Sequence, residues 1–176
     1  EGECSVAERL EGVTKEIILS AQMSSETTPD FALDYKTSDK RTLLLVEDNE
    51  DLRTLIEHRL SPFFDVLMAS NGREALGVLE MKDVDLILCD WMMPLMNGVE
   101  LCREVKKGEK WSHIPFVLMT VRSGIENRLE GSASGAEAYV EKPLNFKLLL
   151  ATLSNLLALR THFRRHYAEN YFIDMG

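Results

Sequence analysis

An α/β fold, with a parallel sheet covered by helices on both faces, is predicted for this chain from three observations. From residue 42 to residue 167, short apolar runs alternate with segments of helical period, the rhythm of repeated strand–helix units. The central run, Val84 to Cys89, is apolar apart from Asp85, as suits a strand buried on both sides. Several runs end abruptly on polar, chemistry-bearing side chains, and open α/β sheets gather their active groups just beyond the carboxyl ends of the strands.

The elements follow in order. Residues 1–40 read as an interdomain connector. Val6, Leu10, Val13 and Ile17 have the spacing of a short helix, weakened by Gly12, while Ser24 to Asp30 and Thr37 to Lys40 have linker chemistry. No glycine-rich nucleotide lid occurs there, so no kinase ATP site is expected in it. Thr42 to Val46 forms the first strand and ends in Glu47-Asp48. Asp51 to Leu60 carries Leu52, Leu55, Ile56 and Leu60 on one helical face, and Pro62 stops it. Phe63 to Ala69 is a short strand, and Asn71-Gly72 opens a helix through Ala75, Leu76, Val78 and Leu79. The central strand ends on Asp90, after which a Pro-Asn-Gly loop turns the chain. Gly98 to Lys107 makes the next helix, with Val99, Leu101, Cys102 and Val105 apolar.

Pro115 to Met119 is a strand ending in the hydroxyl of Thr120. A helix weakened by Gly131 is expected over Ile125 to Ser134. Ala138 to Val140 is the last strand and ends in Glu141-Lys142-Pro143. Asn145 to Tyr167 is the longest periodic segment, with Phe146, Leu149, Leu150, Leu153, Leu156 and Leu157 forming an apolar row. The row continues through Phe163 and Tyr167, past the point where a compact domain should end. Residues 158–168 are therefore expected to remain helical and to pack on a second chain or a following domain.

Composition excludes several functions. The chain has 176 residues, a size for one domain plus appendages, and it is 45% hydrophobic and 28% charged. A net charge of −9 argues against a nucleic-acid footprint. No apolar run is long enough to span a membrane, and the cytosol is the default compartment. The chain begins at Glu1 without a Met or a secretory pattern, which reads as a piece of a longer protein that could itself be anchored in the inner membrane. Cys4, Cys89 and Cys102 are scattered without metal-ligand spacing, and Cys89 reads as a small hydrophobe inside its strand. His58, His113, His162 and His166 lack ligand companions and read as surface or helix-face residues. Met92, Met93 and Met96 read as loop and core packing, and the cluster from His162 to His166 as a solvated face.

The acidic pair Glu47-Asp48, the block running from Asp90 through Met92, Met93, Pro94 and Met96 to Asn97-Gly98, Thr120, and Tyr139 three residues before Lys142-Pro143 together resemble the receiver domain of two-component response regulators. The resemblance covers roughly residues 40–160, with every main landmark in order. It implies a flavodoxin-like (βα)5 fold, doubly wound, whose five parallel strands lie in the order 2-1-3-4-5. The receiver is expected over 41–160 and a C-terminal helical extension or linker over 161–176. The wording of the core looks most like receivers of hybrid two-component sensors, in which a histidine kinase domain precedes the receiver and a DNA-binding domain often follows.

A carboxylate can attack phosphorus if charge on the transferring group is neutralised and positioned. Mg²⁺ commonly takes one or two carboxylates plus waters and phosphate oxygens. Asp48 and Asp90 are the first candidates for such an ion, with Glu47 acting directly or through water. The resemblance adds the backbone carbonyl of Met92 to the metal set, makes Asp90 the phosphoacceptor, and assigns Thr120 and Tyr139 a switch role. Lys142 is a compact cation suited to a phosphoryl oxygen, and Thr120 can donate to another. The fragment is expected to catalyse no more than its own phosphorylation and dephosphorylation. The implied partners are a histidine kinase phosphodonor, neighbouring domains of the same chain and a second copy; nucleic acid and membrane are not expected to touch this fragment.

Three residues depart from the commonest family pattern. Val121 stands where a small residue is usual, Arg122 follows it, and Trp91 beside the acceptor is bulky. Two rival readings compete. An aspartyl-phosphate phosphatase of the haloacid dehalogenase type needs an acid two residues after its nucleophile, where this chain has Met92. A pseudo-receiver that binds partners without phosphorylation would not need the full set of acids, hydroxyl and lysine present here.

Overall fold

The computed structural model describes residues 40–121 and 134–173, with side chains as far as Arg160. The connector before Lys40 and nearly all of the helix expected over Ile125 to Ser134 lie outside the described residues. The elements are β1 (Arg41–Val46), α1 (Glu50–Leu60), β2 (Phe64–Ala69), α2 (Gly72–Met81), β3 (Leu86–Asp90), α3 (Gly98–Lys107), β4 (Phe116–Val121), β5 (Ala138–Lys142) and α4 (Phe146–Ile173). All strand pairings are parallel, and the five strands lie in the order β2-β1-β3-β4-β5. This is the expected fold.

Strand period explains how one sheet serves two cores. Successive side chains point to opposite faces, so Leu44, Val46, Ile87, Cys89, Phe116 and Leu118 pack against α2 and α3. Leu43, Leu45, Leu86, Leu88, Val117 and Met119 pack against α1 and α4. Every residue of β3 is buried, which accounts for its near-continuous apolar sequence.

Helices α1, α2 and α3 each begin on an asparagine. Asn49 accepts from the amide of Leu52, Asn71 from Glu74 and Asn97 from Glu100. Such caps stabilise by roughly 1 kcal/mol each. Asn97 and Glu100 form a reciprocal capping box. These caps fix where the loops after β1, β2 and β3 end, and thereby how far their functional side chains are carried beyond the sheet.

α4 is longer than its sequence period indicates, running on to Ile173. Leu149 and Leu153 are fully buried, and Arg160 Nη1 donates to the carbonyl of Asp85 at 3.0 Å, just before β3. No helix among the described residues is long and apolar enough to cross a membrane.

Candidate functional site

The register brings the strand ends together. Val46 of β1 pairs with Cys89 of β3, so the next residues, Glu47 and Asp90, stand side by side at the carboxyl edge. On the other flank Thr120 pairs with Glu141 and Val121 with Lys142. The loop after β1 adds Asp48, which is exposed.

Glu47, Asp90 and Lys142 are all buried. Lys142 Nζ lies 2.9 Å from Glu47 Oε2 and 2.9 Å from Asp90 Oδ1. One cation therefore bridges two carboxylates, and burial makes its absence costly to either. Glu47 Oε1 also accepts from the amide of Asn49 at 3.2 Å. Carboxylate oxygens of Glu47, Asp48 and Asp90 all lie within 4.8 Å of one another.

This crowding perturbs proton affinities in a consistent direction. Burial, and then repulsion from Asp90, raise the pKa of Glu47 to about 7, against the opposing pull of Lys142. Burial also raises that of Asp90, with Asp48 adding repulsion and Lys142 only partly offsetting both. Burial lowers the lysine's affinity for its proton, but Glu47 and Asp90 outweigh it and Lys142 is raised on balance. Three clustered carboxyls with one ammonium remain short of positive charge, which is the electrostatic demand a divalent cation meets. The donor set, all carboxylate oxygen, suits a hard ion such as Mg²⁺.

The loop after β3 is seated tightly against the acceptor position. The Gly98 amide donates to the Trp91 carbonyl at 2.9 Å. A Cβ at residue 98 would lie 2.2 Å from the Asp90 carbonyl oxygen, so glycine is required there by close approach. Leu95 occupies the left-handed region with φ 69°. Trp91 is buried on the α2/α3 face, with Met93 and Met96 packed against it. Met92, expected to share in that packing, instead exposes its side chain.

Thr120 lies inside β4 rather than just beyond it, and its hydroxyl donates to the carbonyl of Val121 at 3.2 Å. Tyr139 is partly exposed. Partial burial raises its pKa, against a hydrogen bond with Ser134. Cys89 is fully buried, and its thiol pKa is pushed well up by burial, as its reading as a small hydrophobe requires. His58 and His113 are surface residues.

Sequence reasoning missed Arg53. Its Nη1 donates to the Glu47 carbonyl at 2.7 Å and to the Asp48 carbonyl at 3.4 Å. A signal was present, since a cation at the end of a helix's first turn opposes the helix dipole and invites another explanation.

With this geometry the comparisons are specific. The sequence model of the response regulator receiver domain matches residues 43–154. The chain belongs to this receiver family. A histidine kinase of Formosa agariphila is 38% identical over 131 residues, covering 74% of this chain and 10% of the kinase. The chain spans about half the length of several transcriptional regulators that it also matches. A solved receiver domain of a signal transduction histidine kinase from Syntrophus aciditrophicus is 30% identical, with a TM-score of 0.64 over 67% of this chain and 90% of that one. The receiver domain of a sensor histidine kinase from Pseudomonas aeruginosa PAO1, solved with magnesium coordinated in its active-site cleft, is 27% identical. It has a TM-score of 0.63 over 68% of this chain and 99% of that one. The protein is a receiver of two-component signalling, a class that works with histidine kinase phosphodonors.

Proposed function

We propose that this receiver takes a phosphoryl group from a histidine kinase onto Asp90, with Mg²⁺ held by Asp48 and Asp90 and by Glu47 directly or through water. The observation that carries the reading is the buried junction of Glu47, Asp90 and Lys142 beside exposed Asp48. An Asp90 oxygen forms the new O–P bond as the N–P bond of a phosphohistidine breaks. The imidazole leaves with the electron pair and recovers a proton. Mg²⁺ supplies charge neutralisation for the phosphoryl oxygens. Lys142 keeps the acceptor carboxylate in place and is near enough to pair with the transferred group. The backbone carbonyl of Met92, two residues beyond Asp90, completes the proposed metal set.

Thr120 serves as the hydroxyl donor to the phosphoryl group, for which it must leave the Val121 carbonyl, and partly exposed Tyr139 on the adjacent strand follows it. The receiver proper is assigned to 41–160, within a hybrid sensor kinase of cytoplasmic signalling domains, and α4 beyond Arg160 is its connection to a following domain or a second copy. A phosphatase of the haloacid dehalogenase type is disfavoured by Met92, which offers no carboxyl two residues past Asp90.

Incubation with Mg²⁺ and a small acyl phosphate should add the mass of one phosphoryl group to the protein, and Asp90→Asn should abolish the addition. Undiminished labelling of the variant would place the acceptor elsewhere.

A further inference from the structure

Asp48 is the exposed member of the acidic cluster. Among the described residues its carboxylate accepts no hydrogen bond, whereas Glu47 is held by Lys142 and by the Asn49 amide. The backbone alone thus sets where the Asp48 side chain leaves the loop and in which direction its Cβ points. That backbone is short, lying between the end of β1 and the Asn49 cap of α1. Glu47 enters it with its amide bonded to the Ala69 carbonyl of β2 at 3.1 Å. The next two carbonyls, of Glu47 and Asp48, both face the Arg53 guanidinium.

The charge of Arg53 also reaches Glu74. Glu74, in the first turn of α2, accepts from the Ser70 amide at 2.7 Å and from the Ser70 hydroxyl at 2.6 Å. These bonds hold its pKa below the usual range, and the positive charge of Arg53 adds to the effect. The direct contacts of the arginine are with the loop after β1, while its charge also favours the ionised form of the acid that organises the loop after β2.

We infer that Arg53 is a positioning residue for the cation site: by fixing the Glu47 and Asp48 carbonyls from α1, it sets the aim of the Asp48 carboxylate toward Asp90. The inference rests on the proposed reading of these acids as a Mg²⁺ site. Arginine suits the task because one guanidinium nitrogen, Nη1, donates to both carbonyls and the group stays charged, so the peptide planes cannot turn without losing charge-assisted bonds. Groups that orient metal ligands typically alter metal affinity 10- to 100-fold when removed.

Mg²⁺ titrated into the whole chain by calorimetry tests this. Arg53→Met should bind Mg²⁺ about 10-fold more weakly than the parent. Arg53→Lys should fall between them, because a lysine keeps the positive charge at the loop but its shorter side chain loses the guanidinium's reach to the two carbonyls; it also supplies the reading if the methionine variant does not fold. Lys106→Met is the control for lost stability. Lys106 ties α3 to the Ser112 and Ile114 carbonyls and to Glu137 at the opposite edge of the sheet, so its loss should lower Tm and leave Mg²⁺ affinity unchanged. Parent-like affinity in both Arg53 variants overturns the inference, and so does an equal loss in Lys106→Met. If the parent binds Mg²⁺ and Asp48→Ala weakens binding, the functional reading survives either result. If Asp48→Ala binds as the parent does, the functional reading falls, and the positioning role with it.

Discussion

Glu47 is a carboxyl taken almost wholly out of water. Its carboxyl is raised to about 7 by burial and by Asp90, so the fold holds its proton more tightly than the unfolded chain does. Under linkage, the stability contributed by such a group is fully present below the ordinary carboxyl pKa and is lost as pH rises through about 7. The stability of the parent relative to Glu47→Gln should therefore fall between about pH 4.5 and 7 in the absence of divalent ions, followed by urea denaturation across pH. Saturating Mg²⁺ should flatten that fall, because an ion bound to the carboxylate compensates the buried charge. A relative stability that rises over the same window would show that Lys142, rather than burial, governs Glu47.

At the scale of elements, the loop from β3 to α3 carries the tightest steric demand. Gly98→Ala places a methyl group against the Asp90 carbonyl and should cost about 2 kcal/mol, as overpacking does. Gly77, inside α2, has nothing within 4 Å of a built Cβ. Gly77→Ala should therefore stabilise, by roughly 0.5–1 kcal/mol from helix propensity alone. Thermal unfolding of the two variants gives opposite shifts in Tm. The contrast also shows how much was readable in the chain. Both glycines stand in segments of helical period, and only the three-dimensional approach of α3 to β3 separates them. The strands and α1 to α3 were legible because burial imposes a period on them, and the acids were legible because each ends a run. The Lys142 bridge to Glu47 and Asp90 spans 95 residues in one contact and depends on register. Arg53 was hidden because its partners are carbonyls, which every residue has. The length of α4 was underread because its apolar row thins after Leu157.

At the scale of the whole sheet, the apolar interior formed by the described residues divides into two cores that share no side chains. Ile56 belongs to the α1/α4 side and Ile87 to the α2/α3 side. Ile56→Val and Ile87→Val should each cost about 1 kcal/mol, and the double variant should equal their sum to within about 0.5 kcal/mol. A larger discrepancy in chemical denaturation would mean that strain crosses β3, the strand that also carries Asp90.

That division has a geometric consequence for α4. Its first turn follows Lys142 by only a few residues, at the edge of the sheet where the acids meet. Its Arg160 touches the Asp85 carbonyl, at the opposite edge. The fourteen or so residues between span about 21 Å at the rise of an α-helix, and the helix continues to Ile173. One continuous helix thus joins the chemical pole of the receiver to its far pole and projects beyond it. The part of α4 beyond Arg160 therefore runs away from Asp90, off the end of the sheet that the acids do not occupy.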